Sequence, residues 1–410
     1  MRSHAFLQLS GLALVALAAC TGPAPAQVRP GITVLLTDSA HLIKGKRLGL
    51  LSNQTGIDSA GRRDVDLLVA GGYHVTALFS PEHGFRGAED RPGLPDTRDS
   101  ASGLPIYSLY GGKRAAREAG LDSVDVLLVD LQDVGARYYT YPASATQLLR
   151  EAARRKLRLI VLDRPDPIGG VAVQGNVRAT VGDPDSAFVG FLPVPMRHGM
   201  TLAELLRMSD DLLGLHADLV VVPAAGWHRG EYFDGTGLPW IKPSPNMPDL
   251  ESATHYPGTC LFEGTNVSVG RGTAFAFQVV GAPWLDAAAV LRRLRAHPAD
   301  LAGVTVDSIA FAPLHPTDGK YDGVTLRGVR LKVSDRATYD PARTAVALLA
   351  AIRAAHPDSL QFKDDSFDRL AAGHELRRAL LAGRSAASIA GEWARSLTAF
   401  RRARAKYLLY

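Results

Sequence analysis

The sequence predicts an α/β protein with a parallel sheet in its N-terminal half and a smaller α+β domain after it. Short apolar runs alternate with helical segments as far as about residue 240, and these runs are apolar on both faces. Strands of that kind belong to parallel sheets that helices cover on both sides. The length of 410 residues favours two folded domains.

The elements of the first domain follow one another in regular alternation. The predicted strands are 47–51, 75–79, 126–129, 159–162 and 219–222, and the predicted helices are 64–70, 113–119, 143–155 and 202–213. The last helix has a clear start signal, because Thr201 can cap it and Glu204 follows three residues later. We place this domain at residues 28–240.

A second domain is expected at residues 241–410. Residues 234–283 are rich in glycine and proline, which predicts an irregular connection with one short helix, either a domain boundary or an active-site loop. The remaining predicted elements are a helix at 285–296, strands at 304–310 and 328–333, a helix at 341–354 and long helices from 366 onward.

The first 27 residues have the layout of a secretory leader. Arg2 and His4 precede an apolar run at 9–19 that is too short for a permanent membrane span. The run ends in Leu17-Ala18-Ala19-Cys20, which resembles a bacterial lipobox, so we expect Cys20 to be lipidated; cleavage after Ala26 is the alternative. The expected location is the periplasm, with Cys20 as the attachment to the outer membrane.

Charge and composition exclude several classes of ligand for this protein. The net charge is +5, but the arginines are scattered and form no basic run, so nucleic acid is a poor candidate ligand. Cys20 and Cys260 are the two cysteines, which argues against a disulfide framework. The first strand is followed by Ser52-Asn53-Gln54-Thr55-Gly56 rather than by a glycine-rich phosphate loop, and no metal-binding spacing occurs, so we expect no cofactor and no metal.

Polar residues follow the predicted strands of the first domain. Ligands of open parallel sheets bind at the carboxyl ends of the strands, so these clusters predict a functional cleft. The clusters are Asn53-Gln54-Thr55, residues 80–87, residues 130–139, Asp163-Arg164-Pro165-Asp166 and Gly226-Trp227.

Glu82 and His83 are the leading candidates for chemistry. Pro81 and Gly84 flank them and fix a tight turn, and a glutamate beside apolar groups can serve as a general acid. The alternatives are a surface turn in which Glu82 pairs with Arg86, or a metal site that also uses Asp133, Asp163 or His198.

Two further segments have the composition of a sugar site. Asp130, Gln132 and Asp133 are followed by Arg137 and three tyrosines, although an Asp–Arg pair that caps the next helix would give the same pattern. Residues 262–272 combine Glu263, Asn266 and Arg271 with three glycines, which suits either a binding loop or an ordinary connection.

Together these motifs resemble one bacterial family, the NamZ-type exo-β-N-acetylmuramidases. The resemblance covers nearly the whole chain after the leader and keeps the motif order. The matching motifs are residues 51–56, Ser80-Pro81-Glu82-His83-Gly84-Phe85-Arg86-Gly87, residues 130–141, Arg197-His198-Gly199-Met200-Thr201, Pro243-Ser244-Pro245-Asn246-Met247-Pro248 and Glu263-Gly264-Thr265-Asn266.

The resemblance implies a Rossmann-like catalytic domain, an auxiliary C-terminal domain that closes the cleft, and the release of terminal N-acetylmuramic acid from peptidoglycan fragments. It implies Glu82 as the catalytic acid/base. Glu263 or Asp133 would be the second carboxylate, unless the substrate's acetamido group replaces it. The rival hypothesis is a non-catalytic peptidoglycan-binding lipoprotein of the envelope.

The substrate's lactyl carboxylate calls for an arginine, with Arg86, Arg137 and Arg271 as candidates in that order. The residues expected to bind substrate are Asn53, Gln54, His83, Arg86, Gln132, Arg137, Tyr138, Asp163, His198, Asn246, Asn266 and Arg271.

Overall fold

The computed structural model describes residues 27–90, 93–111 and 114–410, without the side chains of residues 114–116. The predicted leader up to residue 26, and Cys20 with it, lies outside the described residues. The strands of the first half are β1 (Arg47–Ser52), β2 (His74–Ser80), β3 (Thr97–Arg98), β4 (Pro105–Ser108), β5 (Val126–Asp130), β6 (Arg158–Leu162), β7 (Gln174–Val177), β8 (Pro195–Arg197) and β9 (Asp218–Val222). The helices there are α1 (Gly31–Asp38), α2 (Asp64–Ala70), α3 (Arg114–Asp122), α4 (Tyr141–Arg155) and α5 (Leu202–Leu213).

Seven of these strands form one sheet in the order β3-β4-β2-β1-β5-β6-β9. All neighbouring pairs are parallel except β3 with β4 at one edge. From β1 the chain winds outward through β2 and β4 and then returns to build β5, β6 and β9 on the other side. The strand order therefore reverses between β1 and β5, where Ser52 pairs with Asp130. Folds of this kind bind ligands near that point, at the carboxyl ends of the strands.

The sheet is covered on both faces, as its apolar strands predicted. Leu50 and Leu128 point to one face, where they pack with Leu35 of α1 and Leu68 of α2. Neighbouring strand residues point the other way, because side chains alternate along a strand, and they pack with α4 and α5. The predicted capping box is present at the start of α5, where the Thr201 hydroxyl accepts from Glu204 N.

The second half is a smaller α+β unit. Its strands β10 (Val279–Ala282), β11 (Val304–Phe311) and β12 (Leu326–Val333) form an antiparallel sheet with β12 in the middle. Its helices are α6 (Leu250–Thr259), α7 (Ala287–Arg295), α8 (Pro341–Ala355), α9 (Asp364–Leu370), α10 (Glu375–Leu381) and α11 (Ala386–Arg404). One hydrophobic cluster contains Leu148 of α4 and Val346 of α8, so the two halves share a core.

One expectation about the C-terminal end needs correction. The expected long helices after residue 366 are two short helices and one long one, because Ala372 and Gly373 adopt positive φ angles of 56° and 146° and end α9. The long helix α11 packs back against β7 of the first half. No helix among the described residues is long and apolar enough to cross a membrane.

Candidate active site

A cavity of about 170 Å³ lies where the loops at the carboxyl edge of the main sheet meet the second half. Glu82 and His83 line it from the loop after β2, and Tyr138 and Thr140 line it from the loop after β5. The second half contributes residues from α6 and from the segment between α6 and β10. The cavity therefore combines the most distinctive polar motifs of the sequence.

A larger cavity of about 360 Å³ lies between α7, α8 and the turn before α11. Its floor is made of alanine side chains, and its acidic residue, Asp300, already accepts a hydrogen bond from Arg343 at 2.7 Å. It lacks the pair of carboxylates that glycoside chemistry uses, so we assign the active site to the smaller cavity.

Glu82 is held by hydroxyl groups from two neighbouring loops. Thr140 Oγ1 donates to Glu82 Oε2 at 2.6 Å. The Tyr110 hydroxyl also interacts with Glu82: burial and then this carboxylate raise the pKa of Tyr110 to about 12, so the phenol keeps its proton and can donate it. These hydrogen bonds orient the carboxyl group of a half-buried residue at the cavity wall.

His83 follows in a strained turn. Its φ angle is 69°, a left-handed conformation that is unfavourable for a residue with a side chain and that often marks functional sites. Its Nδ1 lies 2.8 Å from the carbonyl oxygen of Glu89. Because a carbonyl oxygen can only accept, Nδ1 carries a proton and donates it to Glu89.

The second half contributes an ion pair to the cavity lining. Arg271 Nε donates to Glu263 Oε1 at 2.5 Å, and Cys260 Sγ lies 3.6 Å from Glu263 Oε2. The guanidinium group lies over the ring of Phe277, 5.3 Å from its centroid. Burial lowers the pKa of Arg271 but the neighbouring Glu263 raises it, with a net shift above the usual value, so the arginine is charged.

Asp90 is a cavity residue that the sequence analysis missed. Its Oδ2 accepts from Asn246 Nδ2 at 2.8 Å and lies 3.6 Å from Arg271 Nη1. Its Oδ1 lies 3.5 Å from His83 Nδ1. Asp90 thus connects the loop that bears Glu82 with Arg271 and Asn246. Its position in the glycine-rich loop directly after the Glu82 motif was the available signal.

Two of the three arginines expected to bind the lactyl carboxylate lie elsewhere. Arg86 pairs with Asp99 at 2.6 Å on a side of its loop where its side chain is 53% exposed. Arg137 is buried, which lowers its pKa, and it donates to the carbonyl oxygens of Asn176 at 2.6 Å and Leu370 at 2.8 Å. Of the three arginines, Arg271 is the candidate that lines the cavity.

Asp133 and His198 form a buried pair beneath the site. Asp133 Oδ2 accepts from Gly135 N at 2.8 Å and lies 3.4 Å from His198 Nε2. Neither residue lines the cavity, which argues against Asp133 as the second carboxylate and leaves Glu263. Among the described residues, no group of three histidine, cysteine or acidic side chains is arranged to hold a metal ion.

The remaining polar residues at the strand ends fix loops. Asn53 Oδ1 accepts from Thr55, Gln54 Nε2 donates to the carbonyl oxygen of Lys242 at 2.8 Å, and Gln132 Nε2 donates to that of Pro165 at 2.8 Å. These bonds satisfy backbone groups of the loops at the reversal point of the sheet.

Two predicted binding residues are also structural. Asp163 accepts from Ala203 N at 3.0 Å at the start of α5 and from the Tyr410 hydroxyl at 2.9 Å. Asn266 Nδ2 donates to the carbonyl oxygen of Ser359 at 2.8 Å. Tyr138 does line the cavity, with its hydroxyl bonded to the carbonyl oxygen of Pro257 at 3.1 Å.

Comparison with known proteins identifies the family of the chain. Residues 48–251 match the N-terminal part and residues 254–410 the C-terminal part of the exo-beta-N-acetylmuramidase NamZ family. The chain is 36% identical over 423 aligned positions to the peptidoglycan beta-N-acetylmuramidase NamZ of Bacillus subtilis strain 168, and the match covers 100% of both chains. Two crystal structures of DUF1343 family proteins from Bacteroides fragilis are each 31% identical and cover 94% of this chain and 99% of their own, with TM-scores of 0.84 and 0.75. The chain belongs to the NamZ exo-β-N-acetylmuramidase family and is a glycosidase.

Proposed function

We propose that this protein releases the terminal N-acetylmuramic acid (MurNAc) from the non-reducing end of peptidoglycan fragments, with Glu82 as its catalytic acid/base. The observation that carries the proposal is that Glu82 and the Glu263–Arg271 pair line the same cavity. The Bacillus subtilis relative is named for a peptidoglycan β-N-acetylmuramidase activity, which supports the substrate class.

The size and lining of the cavity support exo action. A volume of about 170 Å³ suits a single sugar ring. The rings of Tyr138, Tyr256 and Phe277 offer apolar faces for the sugar, and the carboxylates and hydroxyl groups around them can bond to its polar groups. A site of this size for one sugar is consistent with action on the terminal residue of a glycan.

The proposed hydrolysis uses the carboxyl groups of Glu82 and Glu263. Glu82 donates a proton to the glycosidic oxygen as the bond to C1 of MurNAc breaks. The Glu263 carboxylate stabilises the positive charge that develops at C1, as the second carboxylate or with help from the acetamido group. Water then forms the new bond to C1 and gives a proton to the Glu82 carboxylate, which restores the acid and completes the hydrolysis.

Arg271 is proposed to recognise the lactyl carboxylate that distinguishes MurNAc from N-acetylglucosamine (GlcNAc). Its Nε is engaged by Glu263, and its Nη1 is 3.4 Å from Thr317 Oγ1, so the fork is fixed at the cavity wall. A guanidinium group presents parallel N–H donors that match a carboxylate. The Glu263–Arg271 pair would thus serve both catalysis and specificity.

We also propose that the protein acts in the periplasm, anchored to the outer membrane through lipid on Cys20. The support is the Leu17-Ala18-Ala19-Cys20 sequence after a short apolar run, together with a substrate class found in the cell envelope. The proposed partners are peptidoglycan fragments of the MurNAc-GlcNAc type.

The test is chromatography of the products after the protein without its leader is incubated with the disaccharide MurNAc-GlcNAc. The wild type should release both free sugars, and Glu82→Gln should lose the activity while keeping its melting temperature. Glu375→Gln, at an exposed glutamate of α10, is the matched control and should remain active. If the folded wild type releases nothing, even from longer fragments, the proposed function fails, and a peptidoglycan-binding role would take its place.

A further inference from the structure

The loop between β11 and β12 lies along the outer side of the segment that carries Glu263 and Arg271. Leu314 N donates to the carbonyl oxygen of Gly272 at 3.1 Å, and the Tyr321 hydroxyl donates to that of Asn266 at 2.6 Å. No motif in the sequence marked this loop. It nevertheless contacts the active-site segment along much of its length.

Lys320 is the central residue of this loop. Its side chain is only 9% exposed, and its Nζ donates to the carbonyl oxygens of Phe262 at 3.2 Å, Glu263 at 3.3 Å and Val267 at 3.0 Å. An ammonium group has three N–H donors, so these three bonds use all of them. The three carbonyl groups belong to Glu263 itself and to residues on both sides of it, so the Lys320 ammonium group links the backbone of the turn that carries Glu263.

A buried ammonium group in this place is unfavourable for stability. Burial lowers the pKa of Lys320 to about 8, against the opposing effect of Asp318 and Glu263, while the positive charges of Lys363 and Arg271 lower it further. The next residue, Tyr321, adopts a φ angle of 59°, a second unfavourable feature in the same loop. Strain and desolvated charge that lower stability tend to persist at functional sites.

We propose that Lys320 is a positioning residue, which fixes the turn around Glu263 and thereby orients the Glu263–Arg271 pair in the cavity that Glu82 also lines. This inference rests on the proposed function, in which Glu263 is the second carboxylate. Lys320 itself does not line the cavity, so it acts through Glu263.

The arrangement of three carbonyl oxygens around one atom favours lysine at position 320 over other side chains. A compact ammonium group donates in three directions from one atom, whereas the planar fork of arginine donates in one plane. Methionine has a similar length but no donor. The carbonyl oxygen of Phe262 keeps its bonds from Thr265 without Lys320, so the effect of Lys320→Met falls on the carbonyl groups of Glu263 and Val267.

The first experiment is a double-mutant cycle of Lys320→Met and Glu263→Gln, assayed by kcat/KM on MurNAc-GlcNAc. Alone, Lys320→Met should lower kcat/KM by about 10- to 100-fold, as expected when a reacting group is misplaced. In the Glu263→Gln background it should change kcat/KM by less than about threefold, because the residue it positions has been altered. Lys332→Met, at an exposed lysine of β12, is the control and should match the wild type.

Three outcomes would overturn the inference. The first is an unchanged kcat/KM in Lys320→Met, and the second is an equal loss of kcat/KM in the wild-type and Glu263→Gln backgrounds. The third is a Lys320→Arg variant whose activity declines at alkaline pH as steeply as that of the wild type. The Lys320→Arg variant covers the case in which Lys320→Met does not fold. Arginine donates in one plane, so this variant should be less active than the wild type, but it stays charged at high pH, so its remaining activity should decline less above a pH of about 8 than that of the wild type.

An inactive wild type would refute the proposed function instead. Lys320 would then be judged by calorimetry of MurNAc binding, which Lys320→Met should weaken and Lys332→Met should not. Equal affinities for the two variants would overturn the inference in that case too.

Discussion

The recognition of the lactyl group can be tested with Arg271→Met, which removes the guanidinium group and retains an apolar side chain over Phe277. Arg271 lines the cavity, and its neighbours Glu263 and Asp90 keep it charged. Hydrogen bonds to charged groups contribute about 1.5–3 kcal/mol. Losing that interaction with a substrate carboxylate should lower kcat/KM by about 10- to 150-fold, since each 1.4 kcal/mol is a factor of ten.

Arg271→Met also affects Glu263, and the assay must separate this effect from the lost contact with the lactyl carboxylate. Glu263 loses its partner at 2.5 Å, which harms catalysis whatever the sugar. This loss is common to MurNAc and GlcNAc substrates, so the ratio of their kcat/KM values isolates the contact with the lactyl carboxylate. The expected result is that this ratio falls by about tenfold or more, given the magnitude of a charged hydrogen bond.

The assay is steady-state hydrolysis of matched aryl β-glycosides of MurNAc and GlcNAc. Arg330→Met is the control, because Arg330 also lies over an aromatic ring, that of Phe275 at 4.3 Å, but does not line the cavity. Equal losses on both glycosides in Arg271→Met would refute the role of Arg271 in specificity and leave it as a partner of Glu263.

Two further predictions concern stability and attachment. Burial raises the pKa of Asp166 from 3.8 to about 7, so between these values the folded protein keeps a proton that the unfolded chain loses. The free energy of unfolding should therefore fall as pH rises through this window, with Asp166 contributing up to about 4 kcal/mol of the loss. Urea unfolding at several pH values should show that the free energy of unfolding of Asp166→Asn depends less steeply on pH. If Asp166→Asn leaves the pH dependence of the unfolding free energy unchanged, Asp166 is excluded as the cause of that dependence. In cells, palmitate should label the wild type but not Cys20→Ala, and equal labelling of both would refute lipidation at Cys20.

The sequence predicted the sheet well because its strands are buried on both faces. Apolar runs without alternation occur in few other settings, and the helix bounds predicted at 64–70 and 202–213 agree with α2 and α5. The hairpin of β7 and β8 and the edge strand β3 were missed. These strands are only two to four residues long, and their burial ranges from exposed in β3 to fully buried in β8, so they lack the longer apolar runs that mark the central strands.

The site was predicted less completely, for a physical reason. Loops at strand ends need polar side chains both to bind ligands and to satisfy their own backbone groups, and sequence does not separate these uses. Glu82 and Glu263 line the cavity, whereas Asp133 and Arg137 support the loops beneath it. Lys320 could not be singled out, because its importance arises from contacts with carbonyl groups more than fifty residues away.

The most direct test of the account is a crystal structure of the Glu82→Gln variant with uncleaved MurNAc-GlcNAc. The account predicts the MurNAc ring in the cavity, its glycosidic oxygen within about 3.2 Å of the residue 82 side chain, and its lactyl carboxylate on Arg271. A disaccharide bound with its glycosidic oxygen away from residue 82, or seated in the cavity between α7 and α8, would contradict it.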